Sequence, residues 1–293
     1  AAQQAIKEGA EIILGPLLSA NVGPVAQEVR ANNIPVLAFS SDRRVAGNGV
    51  FLLSFLPSQE ISRVVNYAAG KGAQGFASLI PQSPYGALVN TAFDQAVTAR
   101  GGKIQSVEQY ARNPKSAAKN VSRLATFAKS RRSGIDAIFL PEGGSLLYEM
   151  AAMLEKNGID KAKVRLLGTG LWDEPGLSAV TALLGGWYAS PDPAAKSAFI
   201  ARYKNAYSKS PLRIASLAYD GVSLASVLAA SEKGQRYTIE QLTNPDGFDG
   251  VDGLFRLLRN GGNERALAVL ELRRGGAMVV SPAPRRFNTR PSG

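Results

Sequence analysis

The sequence predicts a doubly wound α/β protein built as two lobes, and three observations predict it. Short apolar runs alternate with longer amphipathic ones along most of the chain, the pattern of βα units. Several of the short runs, such as Val36-Leu37-Ala38-Phe39, are continuous rather than alternating, as strands of a parallel sheet covered by helices on both faces must be. At 293 residues the chain exceeds what one hydrophobic core usually serves, so two cores are expected.

Taken in order, strands are predicted at 11–14, 34–39, 50–55, 75–80, 103–109, 135–140, 164–168 and 186–189. Helices are predicted at 22–32, 58–70, 84–100, 116–130, 145–157, 193–208 and 214–231. In the helix 84–100, Leu88, Ala92 and Ala96 form one stripe beside Val89, Phe93 and Val97, the spacing of a buried helical face. Near the end, strand-like runs at 254–258 and 267–272 flank Asn260-Gly261-Gly262-Asn263. Asn and Gly tolerate positive φ, so this reads as a closing hairpin or long-loop hairpin. Beyond Pro282 the Pro- and Arg-rich tail reads as an extended, mobile basic end. The chain opens inside what reads as a helix, "AAQQAIKEGA". An upstream segment, carrying any export signal, is therefore expected before Ala1.

Composition restricts the chemistry. The chain has no Cys and no His, which removes thiol nucleophiles, Ser-His-Asp triads and the usual Cys/His zinc sets. "SAAK" at Ser116–Lys119 has the S-x-x-K form of penicillin-recognising acyl enzymes but lacks a K-T-G partner. No phosphate loop or G-x-S-x-G elbow is present, and "GTG" at 168–170 lacks the third spaced Gly of a dinucleotide fingerprint. We therefore expect no catalytic residues, no metal and no cofactor, with a carboxylate-based hydrolase as a distant third alternative. The 34 Lys and Arg against 23 Asp and Glu leave a net charge of +11. Such a balance favours acidic partners, but the charges are scattered and follow no nucleic-acid motif. No apolar run approaches the length of a membrane span.

Polar clusters sit where the predicted strands end. Ile12-Ile13-Leu14 runs into "GPLLSAN", and Val36–Phe39 runs into Ser40-Ser41-Asp42. Doubly wound sheets bind ligands in the crevice beyond their strands' carboxyl ends. Ser19, Ala20 and Asn21 would offer a hydroxyl and unpaired N–H groups at a helix start, which attracts a carboxylate. The plainer alternative is that Ser19 or Asn21 caps the helix. Asp42 has the same two readings, ligand contact or turn cap. Pro84 opens the next predicted helix, where its missing N–H costs nothing, and Tyr85 follows it at a carboxyl edge. Tyr219 and Asp220, at the start of an apolar helix, read as core and cap residues.

Strand–"GPLLSANVGPVAQEV"–helix–"NIPVLAFSSD", then "LIPQSPYGALVNTAFDQAVTARGGKI", "IDAIFLPEGG", "VRLLGTGLWDEP" and "SLAYDGVSLASVLAA", together resemble the type I periplasmic binding proteins. The match is to the branched-chain amino acid receptors of ABC importers, and it spans nearly the whole chain in order. The family's first strand, first helix and second strand would precede Ala1. The resemblance implies two Rossmann-like lobes joined by three crossovers, near Leu56, Ser190 and Val251. One lobe would be 1–56 with 190–250, the other 57–189 with 251–293. They would close like a hinged clamp on a small polar ligand, amino acid-like, for delivery to an ABC permease. The location would be periplasmic, with a lipid anchor conceivable on the preceding segment.

By the same resemblance Ser19 holds a ligand carboxylate, Ser41 and Asp42 meet its polar head, and Tyr85 lines the cleft from the second lobe. Three positions depart from the pattern. Asp42 stands where amino acid receptors favour Thr or Ser, and would repel a carboxylate or pair with an amine. Gly143 and Gly144 stand where receptors carry an aromatic residue, and Trp172 reads either as a replacement surface or as a core or interfacial Trp. Gly170 stands where they carry the acid that binds an ammonium, with Asp173 and Glu174 a few residues later. "LIPQSPYGALVNTAFDQAV" is also similar to the C-terminal domain of lipoprotein activators of penicillin-binding proteins. That relation implies a regulatory contact on a cell-wall synthase instead of a bound metabolite.

Overall fold

The computed structural model describes residues 1–130, 133–174 and 176–287. In chain order the elements are α1 (Ala2–Lys7), β1 (Ile13–Leu14), α2 (Ser19–Arg30), β2 (Val36–Ala38), β3 (Val50–Leu52), α3 (Pro57–Gly70) and β4 (Gly75–Pro81). Next come α4 (Pro84–Thr98), β5 (Lys103–Tyr110), α5 (Pro114–Ala128), β6 (Ala137–Phe139), α6 (Gly144–Lys156), β7 (Arg165–Gly168) and β8 (Trp187–Ser190). The remainder holds α7 (Pro193–Tyr207), α8 (Ala215–Leu228), α9 (Ile239–Leu242), β9 (Phe248–Gly250), β10 (Gly253–Leu257), β11 (Asn263–Arg265), β12 (Ala268–Arg273) and β13 (Gly276–Ser281). The chain divides into two compact units, Ala1–Leu56 with Pro191–Ala266 and Ala283–Gly293, and Pro57–Ser190 with Leu267–Pro282.

The first unit holds a parallel sheet in the order β1-β2-β3 and an antiparallel one in the order β11-β10-β9. In β2 and β3, Val36, Ala38, Val50 and Leu52 pack into a cluster with Val22, Ala26 and Val29 of α2. The intervening Leu37 and Phe51 pack with Leu224 and Leu228 of α8 and Phe255 of β10. Successive side chains of a strand alternate faces, so both faces are buried and the apolar runs are continuous.

A buried ionic cluster ties this unit together. Asp220 of α8 and Arg265 of β11 lie 3.7 Å apart with side chains 1% and 2% exposed, and Asp252 is buried nearby. The Val251 N–H donates to Asp220 at 2.8 Å, and the Arg265 Nε–H donates to the Ser54 carbonyl at 3.3 Å. The guanidiniums of Arg213 and Arg265 stack on the Phe55 ring at 4.2 and 4.8 Å. Asn263 donates to the carbonyls of Leu52 and Ser54 at 2.9 and 2.8 Å. Asp220 is thus an ion-pair partner inside the helix, not a cap, while Tyr219 is 42% exposed.

The second unit is built on a seven-stranded sheet, β13-β12-β8-β7-β6-β4-β5. Strands β4 to β8 run parallel, and β12 and β13 are antiparallel additions at one edge. Val89, Ala92, Phe93, Ala96 and Val97 of α4 enter its core with Phe76, Phe139 and Leu167. Leu88 is 40% exposed, so the buried face of α4 is turned away from the predicted Leu88 edge of the stripe.

The end of the chain corrects two expectations. The runs 254–258 and 267–272 do not pair with each other. The hairpin around Asn260–Gly262 joins β10 to β11 in the first unit, whereas β12 pairs with β8 and β13 in the second. Residues 251–266 therefore stay with the first unit, and the expected crossover near Val251 falls at Ala266–Leu267 instead. Residues 283–287 of the expected tail also belong to the first unit, where Arg256 lies 4.6 Å over the Phe287 ring. The tail expectation for 288–293 lies outside the described residues. Strand β13 was not anticipated, although Arg274-Gly275 between two apolar runs is a turn signal.

Two outcomes test these packing arguments. A methyl at Gly168 would overlap the Trp172 indole, so Gly168→Ala should destabilise the second unit by about 1–3 kcal/mol, read as a lowered Tm. Burial pushes the Asp220 carboxyl up from 3.8 to about 6, against the opposing pull of the Val251 N–H and Arg265. The folded state thus holds this proton more tightly, and its stabilising effect is lost as pH rises through about 6. Asp220→Asn removes that dependence. From pH 4 to 7 its stability relative to wild type should improve by on the order of 3 kcal/mol, measured by denaturant titration. A pH-independent gap contradicts the assignment.

Candidate functional site

In the first unit the candidate residues cluster at the carboxyl ends of β1 and β2. The Phe39 N–H donates to the Pro16 carbonyl at 3.0 Å, tying the loop after β2 to the loop after β1. Leu18 is the residue preceding α2, and it supplies no side-chain cap. Ser19 is therefore the first residue of the helix and not its cap, with Ala20 and Asn21 beside it in the first turn. Ser19 is half-buried, and Ala20 and Asn21 are exposed. The Asn21 N–H donates to the Leu18 carbonyl at 3.0 Å, and with no side-chain cap the Ser19 and Ala20 N–H groups are left to an anion.

In the adjoining loop Ser40 is buried, and its Oγ accepts from the Asp42 N–H at 3.1 Å. Ser41 is exposed. Asp42 caps a short 3-10 turn, Arg43–Val45. Its carboxylate accepts from the Arg44 N–H at 3.0 Å and from Arg44 Nε and Nη2 at 2.9 and 2.7 Å. These Arg44 hydrogen bonds hold the Asp42 carboxyl below its ordinary value and raise the Arg44 guanidinium. The turn reading of Asp42 is the one realised, with its charge matched within its own loop.

The second unit gathers a further set at the carboxyl edge of β4, β6 and β7. Ser83 caps α4 by accepting from the Gly86 N–H at 3.0 Å, which sets Tyr85 in the first turn. The half-buried Tyr85 hydroxyl lies 3.2 Å from the Oγ1 of Thr169, a fully buried residue just beyond β7. The Gly170 N–H, at the position where an ammonium-binding acid was sought, donates to buried Glu60 of α3 at 2.8 Å. Gly143 precedes α6 and provides no side-chain cap. Gly144 has φ +62°, and a methyl on Gly143 would reach the Leu171 side chain at 3.4 Å. Asp173 accepts from the Ser190 Oγ at 2.9 Å.

Trp172 corrects an expectation. It is fully buried, its indole N–H donates to the Leu140 carbonyl at 3.2 Å, and its ring fills the space left by Gly168 and Gly186. Trp172 is core, so it cannot stand in for a ligand-facing aromatic. Its neighbour Leu171, 43% exposed, is the side chain this loop presents.

Sequence reasoning missed a polar group next to Gly143. Buried Glu142 accepts from the Tyr110 hydroxyl at 2.7 Å and from Arg112 Nη2 at 2.8 Å. Burial, then the Glu142 hydrogen bond, raises the Tyr110 phenol, and Glu142 raises Arg112. "PEGG" signalled an acid at a strand end, but its partners come from the end of β5, some thirty residues upstream. Among the described residues no cluster of acids is arranged to hold a metal ion, and no helix is long and apolar enough to cross a membrane.

Comparison with known proteins places this geometry. A crystal structure from Rhodospirillum rubrum, of a candidate branched-chain amino acid ABC transporter protein, is 17% identical with a TM-score of 0.79, covering 95% of this chain and 84% of that one. An ABC transporter substrate-binding protein of Desulfitobacterium hafniense in complex with Leu is 20% identical with a TM-score of 0.69, covering 95% and 83%. A solute-binding protein of R. palustris in complex with 4-hydroxybenzoate is 20% identical with a TM-score of 0.69, covering 99% and 82%. Among curated proteins, an uncharacterized protein of Rickettsia prowazekii (strain Madrid E) is 26% identical over 162 residues. That match takes in 54% of this chain and less than half, 43%, of the relative. The profile of the family described as Periplasmic binding protein matches residues 1–277, and with the fold of two α/β units the chain belongs to that family, whose members bind solutes and are not enzymes.

Proposed function

We propose that this chain is the solute-binding component of an ABC importer in the periplasm and that its ligand is a small carboxylate. The observation that carries the ligand class is the start of α2, where no side chain caps the helix and the Ser19 hydroxyl stands in the first turn. The Ser19 hydroxyl and the Ser19 and Ala20 N–H groups would take the carboxylate in the field of the helix dipole, with Asn21, whose N–H already donates to the Leu18 carbonyl at 3.0 Å, offering its side chain. Ser40, Ser41 and Asp42 would shape the wall of the same loop cluster. In the second unit Tyr85, Gly143, Gly144 and Asp173 are the candidate contacts, with Leu171 offering apolar surface.

An amino acid and an aromatic acid both fall within this class, and relatives of the same fold were solved with Leu and with 4-hydroxybenzoate. The paired states of Asp42 and Asp173 favour a ligand that does not depend on either acid to hold an ammonium. The second reading, an activator of a penicillin-binding protein, draws on that same engagement of acids and on the net charge of +11.

Thermal denaturation with leucine, benzoate and 4-hydroxybenzoate, each against its amide, separates these possibilities. At least one carboxylate should raise Tm while its amide does not, with about 2.7 kcal/mol of stabilisation expected at a hundredfold excess over Kd. Ser19→Ala should weaken that ligand about tenfold, one hydrogen bond to a charged group being worth about 1.5 kcal/mol or more. Unchanged affinity in Ser19→Ala removes the α2 start from the site. No shift with any carboxylate, together with recovery of a penicillin-binding protein from an envelope extract, supports the second reading.

A further inference from the structure

We propose that the first unit docks on an anionic lipid surface through α7 and the segment that follows it. Helices gain most of their stability by burying an apolar face against the rest of a protein, yet α7, fifteen residues long, buries only Phe199. Phe199, Tyr203 and Tyr207 recur at four-residue spacing and form a continuous aromatic row, with ring centroids 6.0 and 4.6 Å apart. Tyr219 of α8 extends the row, 5.3 Å from Phe199. The row runs outward into solvent: Tyr207 is 61% exposed, and Leu212 in the following segment is 76% exposed.

The charges of this stretch of chain have one sign. From Pro193 to Tyr219 the chain contains no acid, and besides Arg213, which is committed to the Phe55 stack, it contains Lys196, Arg202, Lys204 and Lys209. Arg202, Lys204 and Lys209 are exposed, and Arg202 lies 5.3 Å over the Tyr219 ring. Tyrosines and a large aliphatic side chain on a stretch whose exposed charges are cations match the boundary between lipid headgroups and acyl chains. There the aromatic bodies and Leu212 leave water while the cations meet anionic headgroups. A nucleic acid or a soluble polyanion would satisfy the cations but leave Leu212 in water, and that favours lipid as the occupant. The inference is independent of which solute the chain binds.

The test is co-sedimentation of the chain with vesicles of phosphatidylcholine alone and of phosphatidylcholine with phosphatidylglycerol, at low and high salt, with heparin as a soluble polyanion control. We expect binding to the phosphatidylglycerol vesicles only, weakened by salt. Lys204→Glu with Lys209→Glu should weaken it about tenfold or more. Tyr207→Ser with Leu212→Ser should weaken it several-fold while keeping the salt dependence. All four positions are exposed, so each variant should keep the wild-type Tm, which is measured alongside. Absent binding to phosphatidylglycerol vesicles at low salt, wild-type affinity in both variants, or retention by heparin without vesicle binding overturns the proposal.

Discussion

A parallel strand buried on both faces has no side on which to carry polar chemistry, and that constraint organises each unit. In β2 and β3 every side chain is committed to one of two apolar clusters, and all seven residues of β4 are buried. Hydroxyls, acids and free amides collect where these strands stop, because only there does the chain reach solvent or the start of the next helix. The candidate contacts in both units follow from this, and so does the sharing of loops: Phe39 with Pro16 in one unit, Tyr85 with Thr169 in the other.

The acids at these loop ends show how such a site is tuned. Asp42 is matched by Arg44, Asp173 by Ser190, and Glu142 by Tyr110 and Arg112. An acid held by a local donor positions its loop at the cost of being less available to a ligand amine. The α2 start has neither a side-chain cap nor an acid in its first turn, which is why the proposed ligand is an anion.

The ionic cluster of Asp220, Asp252, Arg213 and Arg265 occupies a different position in the argument. Charges this deeply buried are costly unless each finds a partner. Here the members come from Arg213 just before α8, from α8, from the Gly250–Asp252 turn and from β11, and they meet the 52–56 segment at Phe55 and the Ser54 carbonyl. The cluster therefore fixes the chain just before it leaves the first unit, after Leu56 and after Ala266.

The βα alternation, the parallel character of the sheets and most helix positions were legible in sequence, because burial on two faces writes itself as continuous apolar runs and helical stripes. So was the location of the polar clusters, since a strand end is visible wherever an apolar run meets Gly, Ser or Asn. What sequence could not decide were partners far apart in the chain. The destination of 267–272 was one: an apolar run says that a strand exists but not which sheet supplies its hydrogen bonds. The burial of Trp172 was another, since it depends on the room left by Gly168 and Gly186. The pairings of Asp220 with Arg265 and of Glu142 with Tyr110 were also beyond reach, each joining residues that only the folded backbone brings together. Local pattern determined what each segment is; tertiary packing decided which acids are already engaged, and hence what chemistry the loop ends still have to offer.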